Sequence, residues 1–205
     1  MGNTKFNSFS KNAGFSMIEV LITMIILLVG LLSIGALQAR AQIAEMESYQ
    51  RAQALILMSD IIDRININRA TLNCFRFTTN TANGTPFIGA AGTGHLGTPA
   101  CAASTATYNA MADATINQLD ALLQGAAETV GGTSVGAMIG ARACVSYDDA
   151  TELPAKPGTG LYTITISWQA LTDLVAPPVN CANGLYGDEK KRRAVSTTMR
   201  IASID

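Results

Sequence analysis

Few residues in this chain have both the type and the spacing to do chemistry, and Glu19 is the first. Twenty uncharged residues follow it, Val20 to Ala39, and twelve of them are Val, Ile or Leu. An acid at the head of so apolar a run is costly in a bilayer and by default marks a function. The helix macrodipole explains why an acid is tolerated at a helix start but not why one is present. Phe15 stands four residues upstream, on the same face of a helix. The second group is Cys74, Cys101, Cys144 and Cys181. No two are close enough for a CxxC motif, and one histidine, His95, cannot complete a zinc set. Disulfide formation is the chemistry left to them, with free buried thiols as the alternative. Four cysteines allow three pairings. Cys74–Cys101 and Cys144–Cys181 are favoured because each closes a local loop, at roughly 3–4 kcal/mol apiece by chain entropy.

Three other patterns carry less. Gly92-x-Gly94-x-x-Gly97 matches a dinucleotide fingerprint in letters only. No strand precedes it, Pro99 follows, and no βαβ unit surrounds it, so it reads as a loop. His95 inside that loop reads as an exposed histidine with no ordered triad around it. Lys190-Lys191-Arg192-Arg193 is a basic run preceded by Asp188-Glu189, which offset half its charge; a solvated strand entry is expected rather than a nucleic-acid site. Asp148, Asp149 and Glu152 could gather a calcium ion but lack the spacing of a known loop. No metal, no cofactor and no catalytic residue is expected.

Positioning these groups requires particular elements. The chain has 205 residues, 14% charged and 48% hydrophobic, with a net charge of −1. That composition excludes wholesale disorder and a general electrostatic nucleic-acid binder. The hydrophobicity is concentrated in the run after Glu19, long enough at ~1.5 Å per residue to cross the ~30 Å core of a bilayer. Lys5 and Lys11 precede the run, which places the N-terminus in the cytoplasm and exports the remainder, where disulfides persist. A secretory signal peptide cut near Ala39-Arg40-Ala41 is a competing reading, but the run exceeds the usual 7–15 residue core. A plain single-span anchor is another. No Pro or Gly interrupts Ala36 to Ala70, and Ile43, Met46, Ala54, Leu57, Ile61 and Ile65 keep helical spacing. One helix from about Phe15 to Asn68 is therefore expected, all-apolar and then amphipathic. Gly30 and Gly35 within it permit close helix approach.

Residues 71–106, rich in Thr, Gly, Ala and Asn, read as a long loop with at most a short strand. A short helix is expected over Met111–Leu123, ended by Gly131-Gly132. Strands are expected at Ile139–Tyr147, Leu161–Gln169 and Ala194–Ile201, the second with clear alternation. Pro154, Pro157-Gly158 and Pro177-Pro178 separate them. The fold class is α+β, a long N-terminal helix packed on a small antiparallel sheet.

The string Gly14-Phe15-Ser16-Met17-Ile18-Glu19-Val20-Leu21 closely resembles the prepilin leader motif of type IV pilins and type II secretion pseudopilins. The resemblance implies cleavage by a prepilin peptidase between Gly14 and Phe15, N-methylation of Phe15, and Glu19 as the fifth mature residue. Cleavage leaves a cationic amine on Phe15, which Glu19 of an incoming subunit can pair, setting axial register; a buried charge is tolerable when paired. The run through Gln38, with Ala54–Ile65 beyond it, looks most like minor pilins of the PilV branch, which serve pilus modification and assembly. No proline occurs before Pro86, unlike many major pilins.

The implied organisation is a leader at 1–14, a transmembrane helical half at 15–39, an amphipathic half at 40–70 and a periplasmic head at 71–205. The implied partners are the prepilin peptidase, other minor pilins, the major pilin and the inner-membrane assembly platform, with no nucleic acid. The implied location is the inner membrane, then the pilus fibre at the cell surface. Such a protein is structural, not an enzyme. A minor pseudopilin, or a membrane-anchored periplasmic binding or adhesion module that never assembles, are the alternatives. Removing residues 1–14 takes away Lys5 and Lys11 and shifts the net charge from −1 to −3.

Overall fold

The computed structural model of the chain describes residues 15–126, 129–134, 138–154, 156 and 158–202. Helix α1 spans Met17–Ile67, and a short 3-10 turn, Arg69–Thr71, leads into α2, Leu72–Phe75. Then come strand β1 (Ile88–Gly89), helix α3 (Ala106–Leu123) and a small hairpin of β2 (Thr129–Val130) and β3 (Thr133–Ser134). Strands β4 (Arg142–Asp148), β5 (Leu161–Gln169) and β6 (Arg192–Arg200) complete the chain. The four-stranded sheet has the order β1-β4-β5-β6 and is antiparallel throughout.

Two compact units divide α1 between Glu45 and Met46. In the first, every large apolar side chain from Phe15 to Leu37 is exposed, from 44% at Val20 to 91% at Met17. Mean hydropathy reaches 2.8, and the helix is long and apolar enough to cross a membrane. Its internal hydroxyls bond within the helix: Thr23 Oγ1 donates to the Val20 carbonyl and Ser33 Oγ to that of Val29, each at 2.8 Å. An apolar solvent therefore meets few unsatisfied polar groups. Nothing lies within 4 Å of a Cβ added at Gly30 or Gly35, so both stretches offer a flat helix surface.

In the second unit, α1 buries Gln50, Ala54, Met58, Ile61 and Ile65, spaced at three and four residues. The expected stripe is corrected at its upper end. Ile43 and Met46 are exposed and Leu57 is only half-buried, because Gln50, a polar residue in a core position, and Met58 carry the register instead. Ala54, Met58, Ile61 and Ile65 form one apolar cluster with Tyr162, Ile164, Ile166 and Trp168 of β5, and with Ala112, Ile116, Leu119 and Leu123 of α3.

The central strand β5 departs from simple alternation. Thr165 and Ser167, expected on a polar face, are buried as deeply as the apolar residues beside them. A second cluster of Phe87, Cys144, Cys181, Ala182 and Tyr186 covers that face. Ser167 Oγ bonds Tyr186 Oη at 2.9 Å and Thr165 Oγ1 bonds Ser196 Oγ at 2.8 Å, so these two buried hydroxyls are satisfied. Arg142, also buried, donates to the carbonyls of Ala90 and Ala91 and stacks over Phe87 and Tyr186. Gly84 permits the close approach this layer needs: at φ +64 its added Cβ would meet Asn180 O at 1.8 Å.

Boundaries differ from expectation for local reasons. Helix α3 begins at Ala106, five residues early, behind the N-cap Thr105. Strand β4 begins at Arg142 because Gly140 turns the chain at φ +61. Residues 71–106 hold more than a loop: α2 as well as the short strand β1.

Candidate functional site

The N-terminal motif sits at the first turn of α1. The amides of Glu19 and Val20 both donate to the Ser16 carbonyl, at 3.0 and 3.3 Å, which starts the helix. Glu19 is the acid of that turn, where the macrodipole favours it. Phe15, Glu19, Val20 and Thr23 line one recess along the helix. Phe15 is 84% exposed, and among the described residues no cation pairs with Glu19. The chain thus offers an unpartnered acid and an accessible Phe15 on one face, at the head of an apolar helix. Gly14, the other side of the expected cleavage, lies outside the described residues, as does the leader.

The head is stapled twice. Cys74 bonds Cys101 and Cys144 bonds Cys181, with Cα–Cα distances of 5.4 and 5.7 Å. Cys74–Cys101 ties the end of α2 to the chain entering α3. Cys144–Cys181 fastens the segment after β5 onto the sheet.

His95 is corrected from an exposed loop residue to a half-buried one. Its Nε2 lies 2.9 Å from Asp120 Oδ1, and Nδ1 accepts the Gly97 amide at 3.0 Å. An accepting Nδ1 puts the ring proton on Nε2, which donates to Asp120. Asp120 also accepts the Gly89 amide at 2.7 Å and Gln124 Nε2 at 2.8 Å. Both ring nitrogens are occupied, so the pair clips the glycine loop to α3 and leaves none to activate a nucleophile. In that loop the Phe87 amide donates to the Gly94 carbonyl and the Leu96 amide to that of Phe87, with no strand–turn–helix at Gly92, Gly94 and Gly97.

The basic run is also corrected. Arg192 is 2% exposed; its Nε donates to Glu189 Oε2 at 2.5 Å, and its other nitrogens to the Val179 and Pro177 carbonyls. Arg193 donates to the Thr172 carbonyl at 2.7 Å and lies 3.8 Å from Glu47, which accepts the Thr172 amide and hydroxyl. Half the run is thus internal structure. Glu152 accepts the Tyr147 hydroxyl and the Gly158 amide, and these two bonds hold its carboxyl below the usual range. Burial first, and then Glu152, push Tyr147 up. Asp148 caps the Ala150 amide at 3.1 Å. Among the described residues, no three His, Cys, Asp or Glu side chains could hold a metal.

Asp120, Arg142 and the Glu47–Thr172–Arg193 link carry structural work that spacing alone does not show. Each joins residues more than twenty positions apart.

A fully exposed apolar helix that continues into a helix-on-antiparallel-sheet head defines a pilin-like α+β subunit. The family comparisons agree. A family model described as the prokaryotic N-terminal methylation motif matches residues 9–35. One described as type IV pilin Tt1218 matches residues 36–116. No curated protein and no solved structure matches the chain. The chain is a type IV pilin-like protein.

Proposed function

We propose that this chain is a minor type IV pilin precursor of the PilV branch. The observation that carries the reading is the start of α1: Phe15 exposed, Glu19 four residues on without a partner, then an apolar helix with nothing of its own chain against it. A prepilin peptidase cuts between Gly14 and Phe15, removing residues 1–14, and N-methylates Phe15. The precursor sits in the inner membrane with a cytoplasmic leader and a periplasmic head. It then leaves the bilayer with other minor pilins, on the assembly platform, to prime or cap a fibre of major pilin. The charged Phe15 amine of one subunit receives Glu19 of the next, so register is read by a buried pair. The role is structural; prepilin cleavage and the work of assembly fall to partners.

Mass spectrometry of the mature N-terminus tests this first. N-methyl-Phe15 is expected, and any other start overturns the reading. Glu19→Val should still be processed yet lose most incorporation into sheared fibres. An anchored adhesion module would show no such loss. Deletion separates pilus from secretion system: loss of twitching supports the pilin, and loss of secretion alone supports a minor pseudopilin.

A further inference from the structure

The two edges of the sheet are finished differently. At one edge β1 is two residues long, and Asp120 of α3 takes its outward Gly89 amide. At the other, β6 pairs with β5 in unbroken register over nine residues, Arg192 to Arg200. Among the described residues, no backbone group of Ala194–Arg200 bonds outside that ladder. β6 has no proline and no bulge, and its middle, Ala194–Met199, has no charge. Natural sheets usually blunt such an edge, because a long regular one recruits another strand. Val195 and Met199 pack on the main cluster yet stay half-buried. On the other face Thr163 and Thr165 of β5 stand beside Thr198 and Ser196 of β6, a hydroxyl row that ends at the open edge.

We infer that β6 receives an extended segment of another protein as a fifth strand, and that this segment carries acids at its ends and alternating Thr and Val between them. The charge pattern selects the occupant. In an antiparallel pairing of two copies of β6, registers one or two residues from flush place Arg200 opposite Lys190, Lys191 or Arg193, while Arg192 is already paired with Glu189. Like charges directly opposite destabilise a strand pair. The basic run therefore acts against self-pairing while suiting a strand with acidic ends. Lys190 and Arg200 are exposed, and Lys191 is half-exposed. Backbone bonds supply affinity, valines complete the cover over Val195 and Met199, and threonines continue the hydroxyl row. The surface stands whether or not the chain enters a fibre.

The test uses the full mature chain in detergent micelles and three synthetic peptides. One alternates threonine and valine between two glutamates at each end. The second has lysines in place of the glutamates. The third keeps the glutamates but has prolines for valines. The first should bind at least tenfold tighter than the second and slow amide exchange along β6; the third should not bind. Changing Lys190→Glu and Lys191→Glu together with Arg200→Glu should invert the preference. The pair Lys190→Glu and Lys191→Glu alone should reduce it, with folding checked by circular dichroism. Equal binding of all three peptides, no binding of the first, or protection confined to other strands overturns the proposal. So does a β6-dependent dimer of the unmodified chain.

Discussion

Leu28 and Ile61 lie on one helix and have similar side chains, yet Leu28 is 60% exposed and Ile61 is 1% exposed. Helix propensity separates the two by well under ~1 kcal/mol, too little to account for this. Ile61 meets the sheet and α3, whereas nothing from its own chain covers Leu28. Hydrophobic side chains on every side of a helix need an apolar environment from elsewhere. The second half finds that environment in its own fold, and the first has none from its own chain. The same hydrophobic effect folds one half and leaves the other without a partner in its own chain, and substitutions can separate the two.

The largest effect should come from the layer that closes the head. Cys144→Ala with Cys181→Ala removes a link across 37 residues, worth roughly 4 kcal/mol by chain entropy. We expect denaturant unfolding of the head to shift to far lower midpoint while the helical signal of the anchor in micelles is unchanged. An equal loss in both signals would show that the halves do not behave separately. Ile61→Ala follows, at about 3 kcal/mol for a fully buried aliphatic. Leu28→Ala, measured the same way, should leave the head midpoint unmoved.

The exposed half was legible because its signal is local: an acid, then an uninterrupted apolar run. The four-stranded core was legible in outline because Tyr162, Ile164, Ile166 and Trp168 alternate, and the turn residues punctuate. What sequence did not show are the contacts made across the fold. Thr165 and Ser167 look solvent-facing until a disulfide lays residues 180–187 over them. Arg192 looks like part of a surface charge cluster until Glu189 and two carbonyls enclose it. His95 looks loose until α3 brings Asp120 to it. For Thr165, Ser167 and His95 the deciding partner comes from a separate element that no residue pattern records; for Arg192 the pattern shows Glu189 but not the Pro177 and Val179 carbonyls.

Smaller effects arise where the head is titratable, and they should be absent from the anchor. Glu152 is held below its ordinary 4.5 by Tyr147 and the Gly158 amide. A lowered folded pKa favours the charged form in the native state, so its contribution is present above about pH 4.5 and lost as pH falls through the lower folded value. Wild type and Glu152→Gln should therefore differ in head stability at pH 6 and converge on acidification. A gap that persists at pH 2 would show that the carboxylate charge is not the source.

The smallest effect at neutral pH belongs to Tyr162→Phe. Tyr162 is fully buried and its hydroxyl has no hydrogen-bond partner. Burying an unpaired hydroxyl carries a desolvation cost, so its removal should leave stability within ~1 kcal/mol of wild type, or raise it. Burial pushes its pKa up to about 12, with Tyr147 adding to the shift. A raised folded pKa favours the neutral form in the native state. Its contribution is complete below the unfolded value of 10 and is lost as pH climbs toward 12. Wild type and Tyr162→Phe should therefore track together up to pH 9, and the variant should resist alkaline unfolding better above pH 10. A marked loss at pH 7 would mean that the hydroxyl is bound after all, and Tyr147, whose ring centroid lies 4.6 Å from that of Tyr162, would be the first partner to examine by double-mutant cycle.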